Sequence, residues 1–443
     1  MKKLRALPES SFLKLFFCFF TLCLFVAAAA MPDRAEMFKG MWQMAMSPSK
    51  LSTNAFSFGY AAAFLNAGLV CLLACLLFQL PKAKANAASM LAFLLTAGFT
   101  FWGINVVNVW FGLIGVFVYC AVKRQAPGTQ VNAMLFTTGL APLFSDLLLR
   151  YPNAEVIGFH WTGLALALGA GLIVGFFLPA GLAFSSKVHQ GYSLYSAAVP
   201  IGLGAFLLRG ILYQVLRVDV PAAASSELYA VASWPAANVF CFAVFGLCIV
   251  FALLLGCKPR DYWQLLKDSG YKVDFAAKYG NAAALMNVGI YGLVIVAYYN
   301  VIGATFNAIT LGCVFCMLSC CCSGSHPRNV LPILLGYVAA SFLMKWLCIG
   351  DGYAQTIAAQ SIIVGACFAN GLSPVSGRYG CIFGFAAGML HFCLVTSVPN
   401  LHGGFCLYNG GFTAAFVAMI LVPVLQHFFR AKDEKIAVEQ KTV

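Results

Sequence analysis

Phe58-Gly59-Tyr60-Ala61-Ala62-Ala63-Phe64-Leu65-Asn66-Ala67-Gly68 returns later in the chain as Tyr279-Gly280-Asn281-Ala282-Ala283-Ala284-Leu285-Met286-Asn287-Val288-Gly289. The shift is 221 positions (59 to 280). The same shift carries Asn86-Ala87 onto Asn307-Ala308, Gly103 onto Gly324, Asn108-Val109 onto Asn329-Val330 and Gly115 onto Gly336. One ungapped shift across three apolar segments reads as an internal duplication. Farther on, Gly139-Leu140-Ala141-Pro142 matches Gly371-Leu372-Ser373-Pro374 at a shift of 232 (142 to 374). Gly171 and Gly175 then match Gly384 and Gly388. His189-Gln190-Gly191-Tyr192-Ser193-Leu194-Tyr195 matches His402-Gly403-Gly404-Phe405-Cys406-Leu407-Tyr408 at a shift of 213 (189 to 402). The shift changes where loops differ in length, as at Tyr151 to Ile157, which only the first copy has.

Each copy holds six apolar segments: 58–80, 85–103, 105–122, 130–149, 160–185 and 190–213, then 279–300, 303–323, 329–348, 354–373, 379–398 and 407–429. A linker segment, 236–256, lies between them. Of the whole chain 62% is hydrophobic and 9% charged, against about 25% charged in a soluble domain. A chain this apolar needs lipid as its solvent, so the expectation is an all-α polytopic membrane protein with about 12–14 spans. Its parts are an N-terminal hydrophobic helix or signal-anchor with an interfacial segment (1–53), membrane repeat 1 (54–215), a linker helix and polar loop (216–278), membrane repeat 2 (279–429) and a tail (430–443). The small residues Ala27 to Ala30 leave a cleaved signal peptide and a retained first helix both open.

The net charge of +13 does not point to nucleic acid, because the bases sit in short stretches between apolar runs. With Lys2, Lys3 and Arg5 inside and every segment crossing, the inside loops collect Lys82, Lys84, Lys123, Arg124, Lys187, Lys258, Arg260, Lys267, Lys272, Lys278, Arg328, Arg378, Arg430 and Lys432. The outside receives Arg34, Lys39, Lys50, Arg150 and Arg217. If the Gly139 and Gly371 segments only re-entered, Lys258, Arg260 and Arg328 would fall outside, so the all-crossing arrangement fits better. It predicts a bacterial inner-membrane protein of about 14 helices with both termini cytoplasmic. Six segments and one linker separate the starts of the copies. Seven is odd, so the copies are expected to be inverted, the arrangement that in secondary transporters meets around a central site.

Asp146 is the only acid inside an apolar segment, which argues against a proton pump built on an embedded carboxylate. Gly139/Pro142 and Gly371/Pro374 read as helix breaks, since Pro removes a donor and Gly loosens the same turn. Each break either lines a path or is a packing kink. Four residues after each Pro stand Asp146 and Arg378, a candidate charge pair. His189, Gly191 and Tyr195, with His402, Gly404, Tyr408 and Asn409, either contact solute or sit at the headgroup level near helix ends. Asn66 and Asn287 lie mid-segment, as interhelical glue or as solute contacts. Cys313, Cys316 and Cys320 share a helix face without a fourth ligand, so packing is preferred to metal. No Walker loop or dinucleotide fingerprint is present.

The strings 402–413, 371–374 and 64–70 resemble a multi-spanning, internally duplicated bacterial membrane family known as domain of unknown function 1576, over about Met46 to Phe429. The resemblance implies the membrane fold and carries over no site residues. The first copy has Gln190 and Ser196 where the second has Gly403 and Asn409, which makes the second copy the better candidate for solute contacts. The expected function is a passive or gradient-driven transporter or channel for a small solute. No cofactor or metal is expected, and the expected partners are the bilayer, the solute and further copies of the chain. An intramembrane enzyme using His160, His189, His391 and His402, or a scaffold, is the alternative.

Overall fold

The computed structural model describes residues 7–48, 53–150, 156–217, 234–347 and 356–432. Lys2, Lys3, Arg5, Lys50, most of the loop peculiar to the first copy (151–155) and the tail beyond 432 lie outside the described residues.

In chain order the helices are α1 (Glu9–Ala30), α2 (Met37–Ala45), α3 (Tyr60–Leu77), α4 (Ala87–Phe99), α5 (Val109–Val122), α6 (Val131–Thr137), α7 (Ala141–Arg150), α8 (Trp161–Val188), α9 (Ala198–Gly210) and α10 (Ala237–Leu254). Then follow α11 (Pro259–Leu265), α12 (Phe275–Tyr279), α13 (Asn281–Ile302), α14 (Ala308–Leu318), α15 (Pro327–Leu347), α16 (Gln360–Ala369), α17 (Ser373–Tyr379), α18 (Cys381–Val395), α19 (Val398–Leu401) and α20 (Asn409–Phe428). Among the described residues nine helical stretches are long and apolar enough to cross a bilayer, and four apolar helices are shorter: Ala87–Phe99, Val109–Val122, Ala308–Cys321 and Cys381–Val395. The chain is thus an all-α, multi-span protein, with nine full-length candidate spans among the described residues where about 12–14 spans were expected.

Two of the short helices, α4 and α14, escape the length rule because protein surrounds them. Every residue of α14 and all but Ala88 of α4 are buried, so neither must match the thickness of lipid on its own. They pack against each other through bare backbone. A Cβ on Gly98 would stand 2.5 Å from Gly312 O, and one on Gly312 would stand 2.4 Å from Gly98 O. Capping boxes start both: Asn86 with Ser89, and Asn307 with Thr310. Glycine contacts recur outside this pair. Gly115 on α5 meets Gly171 and Gly175 on α8, and Gly336 on α15 meets Phe385 on α18, the close approach small residues permit in membranes.

Hydrogen bonds fix which way the matched helices run. α1 holds 22 residues and is about 33 Å long. At its N-terminal end, the first end of the bundle, Asn281 Nδ2 donates to Leu7 O (2.9 Å) and Lys14 Nζ to Ala83 O (3.1 Å). Beyond its C-terminus, at the second end, Ala61 N donates to Asp33 Oδ1 (3.1 Å). So α3 begins at the second end and α13 at the first. α4 begins at the first end, where Ala87 N donates to Asp274 Oδ2 (3.0 Å). α14 begins at the second, where Trp234 N donates to Phe306 O (2.7 Å) and the Trp234 ring lies 6.0 Å from Phe56.

Matched positions also share backbone conformation. Gly59 and Gly280 have φ of 109° and 86°, Lys82 and Gly303 69° and 71°, Gln190 and Gly403 54° and 64°, Gly191 and Gly404 86° and 76°. The helix breaks expected at Gly139/Pro142 and Gly371/Pro374 take a milder form. The chain tightens into single 3-10 turns, Thr138–Leu140 and Asn370–Leu372, and resumes as α-helix within a residue. Pro142 and Pro374 each sit in the first turn of the resumed helix, where a missing N–H costs little. The polar stretch 258–278 folds back under the first end as α11 and α12, with Lys278 Nζ 2.6 Å from Asp268 Oδ2. α1 packs into the core, with Phe17 stacked on Phe93 at 4.3 Å and Phe20 edge-on to Phe315 at 5.1 Å.

Candidate functional site

The His189–Tyr195 loop reaches across to the Asn370–Leu372 turn, and the His402–Tyr408 loop to the Thr138–Leu140 turn. Leu194 N donates to Gly371 O, and Leu407 N to Gly139 O, both at 2.9 Å. The rings follow. A Cβ on Gly371 would meet the Tyr195 ring at 2.5 Å, and one on Gly139 the Tyr408 ring at 2.2 Å. Glycine is required at both turns because a tyrosine face lies on them.

The two crossings differ in polarity. Tyr195 Oη donates to Asn370 Oδ1 (2.7 Å) and lies 3.0 Å from Cys316 O, while Asn370 Nδ2 donates to Met317 O (2.6 Å) and Tyr291 Oη (3.0 Å). Asn370 is wholly buried and this network satisfies it. Its counterpart is Thr138, whose hydroxyl donates to Leu135 O (2.6 Å) in its own helix. The Tyr408 hydroxyl, equally buried, has no hydrogen-bond partner among the described residues.

The histidines hold the loops. His189 Nδ1 accepts from Gly191 N (3.2 Å) and Ser193 N (3.3 Å), so Nε2 carries the proton and donates to Ser196 Oγ (2.9 Å). Burial pulls its pKa down to about 4. His402 Nδ1 pairs with Asn409 Oδ1, seven residues on, as His189 does with Ser196. His391 is bonded to Tyr337 Oη and to Gly410 O (2.8 Å), and His160 Nε2 lies 3.4 Å from Val156 O. Among the described residues no group of three or more His, Cys, Asp or Glu is placed to hold a metal ion.

Beside the second crossing lies a cavity of about 510 Å³. Trp102, just past α4, forms one wall, and Gln360, Ser361, Val364 and Gly365 of α16 another. Val395, Thr396 and Pro399 close one side, and Leu407, Asn409 and Gly410 the floor. It lies toward the second end, since Gln360 Oε1 accepts from Asn307 Nδ2 (2.7 Å) at the start of α14. At the first end a different group of side chains packs together. The Arg378 guanidinium sits 4.4 Å from the Tyr271 ring and 5.8 Å from the Tyr192 ring, and donates to Tyr192 Oη. Tyr192 and Tyr271 lie ring on ring at 4.6 Å, and Gln426 Nε2 donates to Gln190 Oε1 (2.9 Å).

Of the residues singled out by sequence, Asn409 lines the cavity, Tyr408 lies beside it, and His402 and Gly404 belong to the loop that forms its floor. His189, Gly191 and Tyr195 hold the opposite crossing, where a Cβ on Gly191 would meet Lys272 at 2.7 Å. Asn66 and Asn287 do not line this cavity. Asn66 Nδ2 donates to Thr100 O (3.3 Å) and Ile104 O (3.0 Å), and Asn287 Nδ2 to Cys321 O (2.8 Å) and Ser325 O (2.9 Å), the same pair of carbonyls 221 positions on. They tie off the ends of α4 and α14. Asp146 and Arg378 do not pair. Asp146 takes Arg150 at 3.6 Å, near the start of α8, whereas Arg378 lies beyond its other end. The 28 residues of α8 put about 42 Å between those ends. Sequence reasoning missed Trp102, Gln360, Ser361, Thr396 and Asn370. No motif in the sequence marked any of them.

The elements and the paired crossings define a polytopic helical membrane protein. The chain matches the family described as "Protein of unknown function (DUF1576)" over residues 33–214 and 258–427, and belongs to it. No curated protein and no solved structure matches it.

Proposed function

We propose that the protein is a carrier or channel for a small solute, built from two inverted repeats that meet at the crossed tyrosine loops. The opposite directions of α3 and α13 and of α4 and α14, and the shared backbone at matched positions, support the inversion. The observation that carries transport is the cavity between Trp102 of the first copy and the α16–α20 wall of the second. It lies toward the second end beside the Leu407–Gly139 crossing, while Arg378, Tyr192 and Tyr271 pack together at the first end, a difference between the two ends of the kind an alternating-access carrier needs. Lys82, Lys84, Lys258, Arg260, Lys272, Lys278 and Arg378 cluster at the first end, and Arg34, Lys39 and Arg150 stand at the second. By the positive-inside rule the first end faces the cytoplasm of a bacterial inner membrane, and the cavity faces outward.

The test is solute entry into proteoliposomes, followed by light scattering after an osmotic step across a panel of small solutes. Saturable entry that Ser361→Trp abolishes by filling the cavity supports the proposal. Entry no faster than in protein-free vesicles for every solute contradicts it.

A further inference from the structure

We infer that the cavity binds an uncharged polar solute through amide N–H donors. This rests on the transport reading only for what the solute does next; the binding is testable alone. Among the described residues none that lines the cavity carries an ionisable side chain. An ion entering it would shed water without a countercharge, which costs far more than moving a neutral polar molecule.

The amide orientation follows from the neighbours. Asn307 Oδ1 accepts from Thr310 N (2.9 Å) in its capping box, so Asn307 presents Nδ2 to Gln360. Gln360 must answer with Oε1, which leaves its Nε2 group as the end available to the cavity. Asn409 is held the same way, its Oδ1 on His402 Nδ1, leaving Nδ2. The site therefore offers donors beside the exposed side chains of Ser361 and Thr396 and the face of Trp102. A solute with carbonyl or hydroxyl oxygens and an apolar face fits that lining. At about 510 Å³ the space falls within the usual ligand-pocket range of about 300–1,000 Å³.

The experiment measures thermal unfolding of the full chain in detergent with neutral probes and charged relatives on the same skeleton: glucose, glucuronate and protonated glucosamine; nicotinamide and nicotinate; uridine and uridine monophosphate. A bound probe raises the midpoint by mass action. The expected result is saturable stabilisation by at least one neutral member and none by its charged partners. Gln360→Glu keeps an oxygen for Asn307 but removes the donor, so it should weaken that binding at least tenfold while leaving the ligand-free midpoint near wild type. Stabilisation by a charged member instead, an unchanged affinity in Gln360→Glu, or no stabilisation by any probe overturns the inference. A neutral probe that binds but does not cross proteoliposomes would sink the transport reading and leave the solute class standing. A charged probe that crosses while neutral ones do not would do the reverse.

Discussion

Asn66 and Asn287 show what a buried amide does here. Each bonds two carbonyls at the end of the following helix, groups that helix geometry leaves without partners. Alanine at either should cost about 1–3 kcal/mol, measured as a drop in unfolding midpoint in detergent, with solute affinity in the remaining folded protein unchanged. The tyrosines predict a contrast. Tyr195→Phe strips a donor from Asn370 and should destabilise by about 1–3 kcal/mol. Tyr408→Phe removes a buried hydroxyl that has no partner among the described residues, so it should leave stability unchanged or raise it. Equal losses in the two variants would contradict the asymmetry. His189 adds a pH dependence. Its pKa in the fold is about 4, against about 6.5 for a free imidazole. As pH falls through 6.5 the unfolded chain takes up a proton that the folded chain refuses. Its contribution is therefore intact above that value and is lost progressively down to about pH 4. His189→Gln should flatten part of the fall in midpoint between pH 7 and 4.

At the scale of elements, the α4–α14 contact depends on two glycines. Gly98→Ala or Gly312→Ala would push a Cβ to within 2.5 Å of a facing carbonyl, and overpacking of this kind costs about 1–3 kcal/mol. Thermal melting of the single variants checks it; a midpoint within a degree of wild type would show that the helices can part freely. Here too lies the boundary of what the chain reveals before folding. The matched strings at Gly59/Gly280 and Asn86/Asn307 were readable because backbone demands select residues directly: a positive φ asks for glycine, and an N-terminus asks for asparagine. Helix lengths were not. Hydropathy makes α4 and α14 look like any other span, and only the helices around them release them from the thickness of the bilayer. The Gly-x-x-Pro strings marked a disturbed turn correctly but not its form, because a 3-10 turn is enough once a tyrosine ring covers the glycine. Trp102 and Ser361 gave no signal, since cavity walls are made by packing between distant segments.

Across the whole molecule, the pairings at the two ends differ, and on the transport reading proposed above they bear on gating. The Arg378 stack joins α17 to the loop after α8 and to the polar stretch 258–278. Arg378→Ala should loosen the first end and raise solute entry or leak in proteoliposomes, whereas Arg150→Ala, at the other end of α8, should not. The central claim is that equivalent segments run in opposite directions. Lys82 and Gly303 are equivalent positions with φ of 69° and 71°, one after α3 and the other after α13. An epitope inserted at each, probed in intact and permeabilised cells, tests the claim most directly. The account predicts that the Lys82 epitope is seen only after permeabilisation and that the Gly303 epitope is seen from outside. Detection of both from the same side would mean parallel copies, and would contradict it.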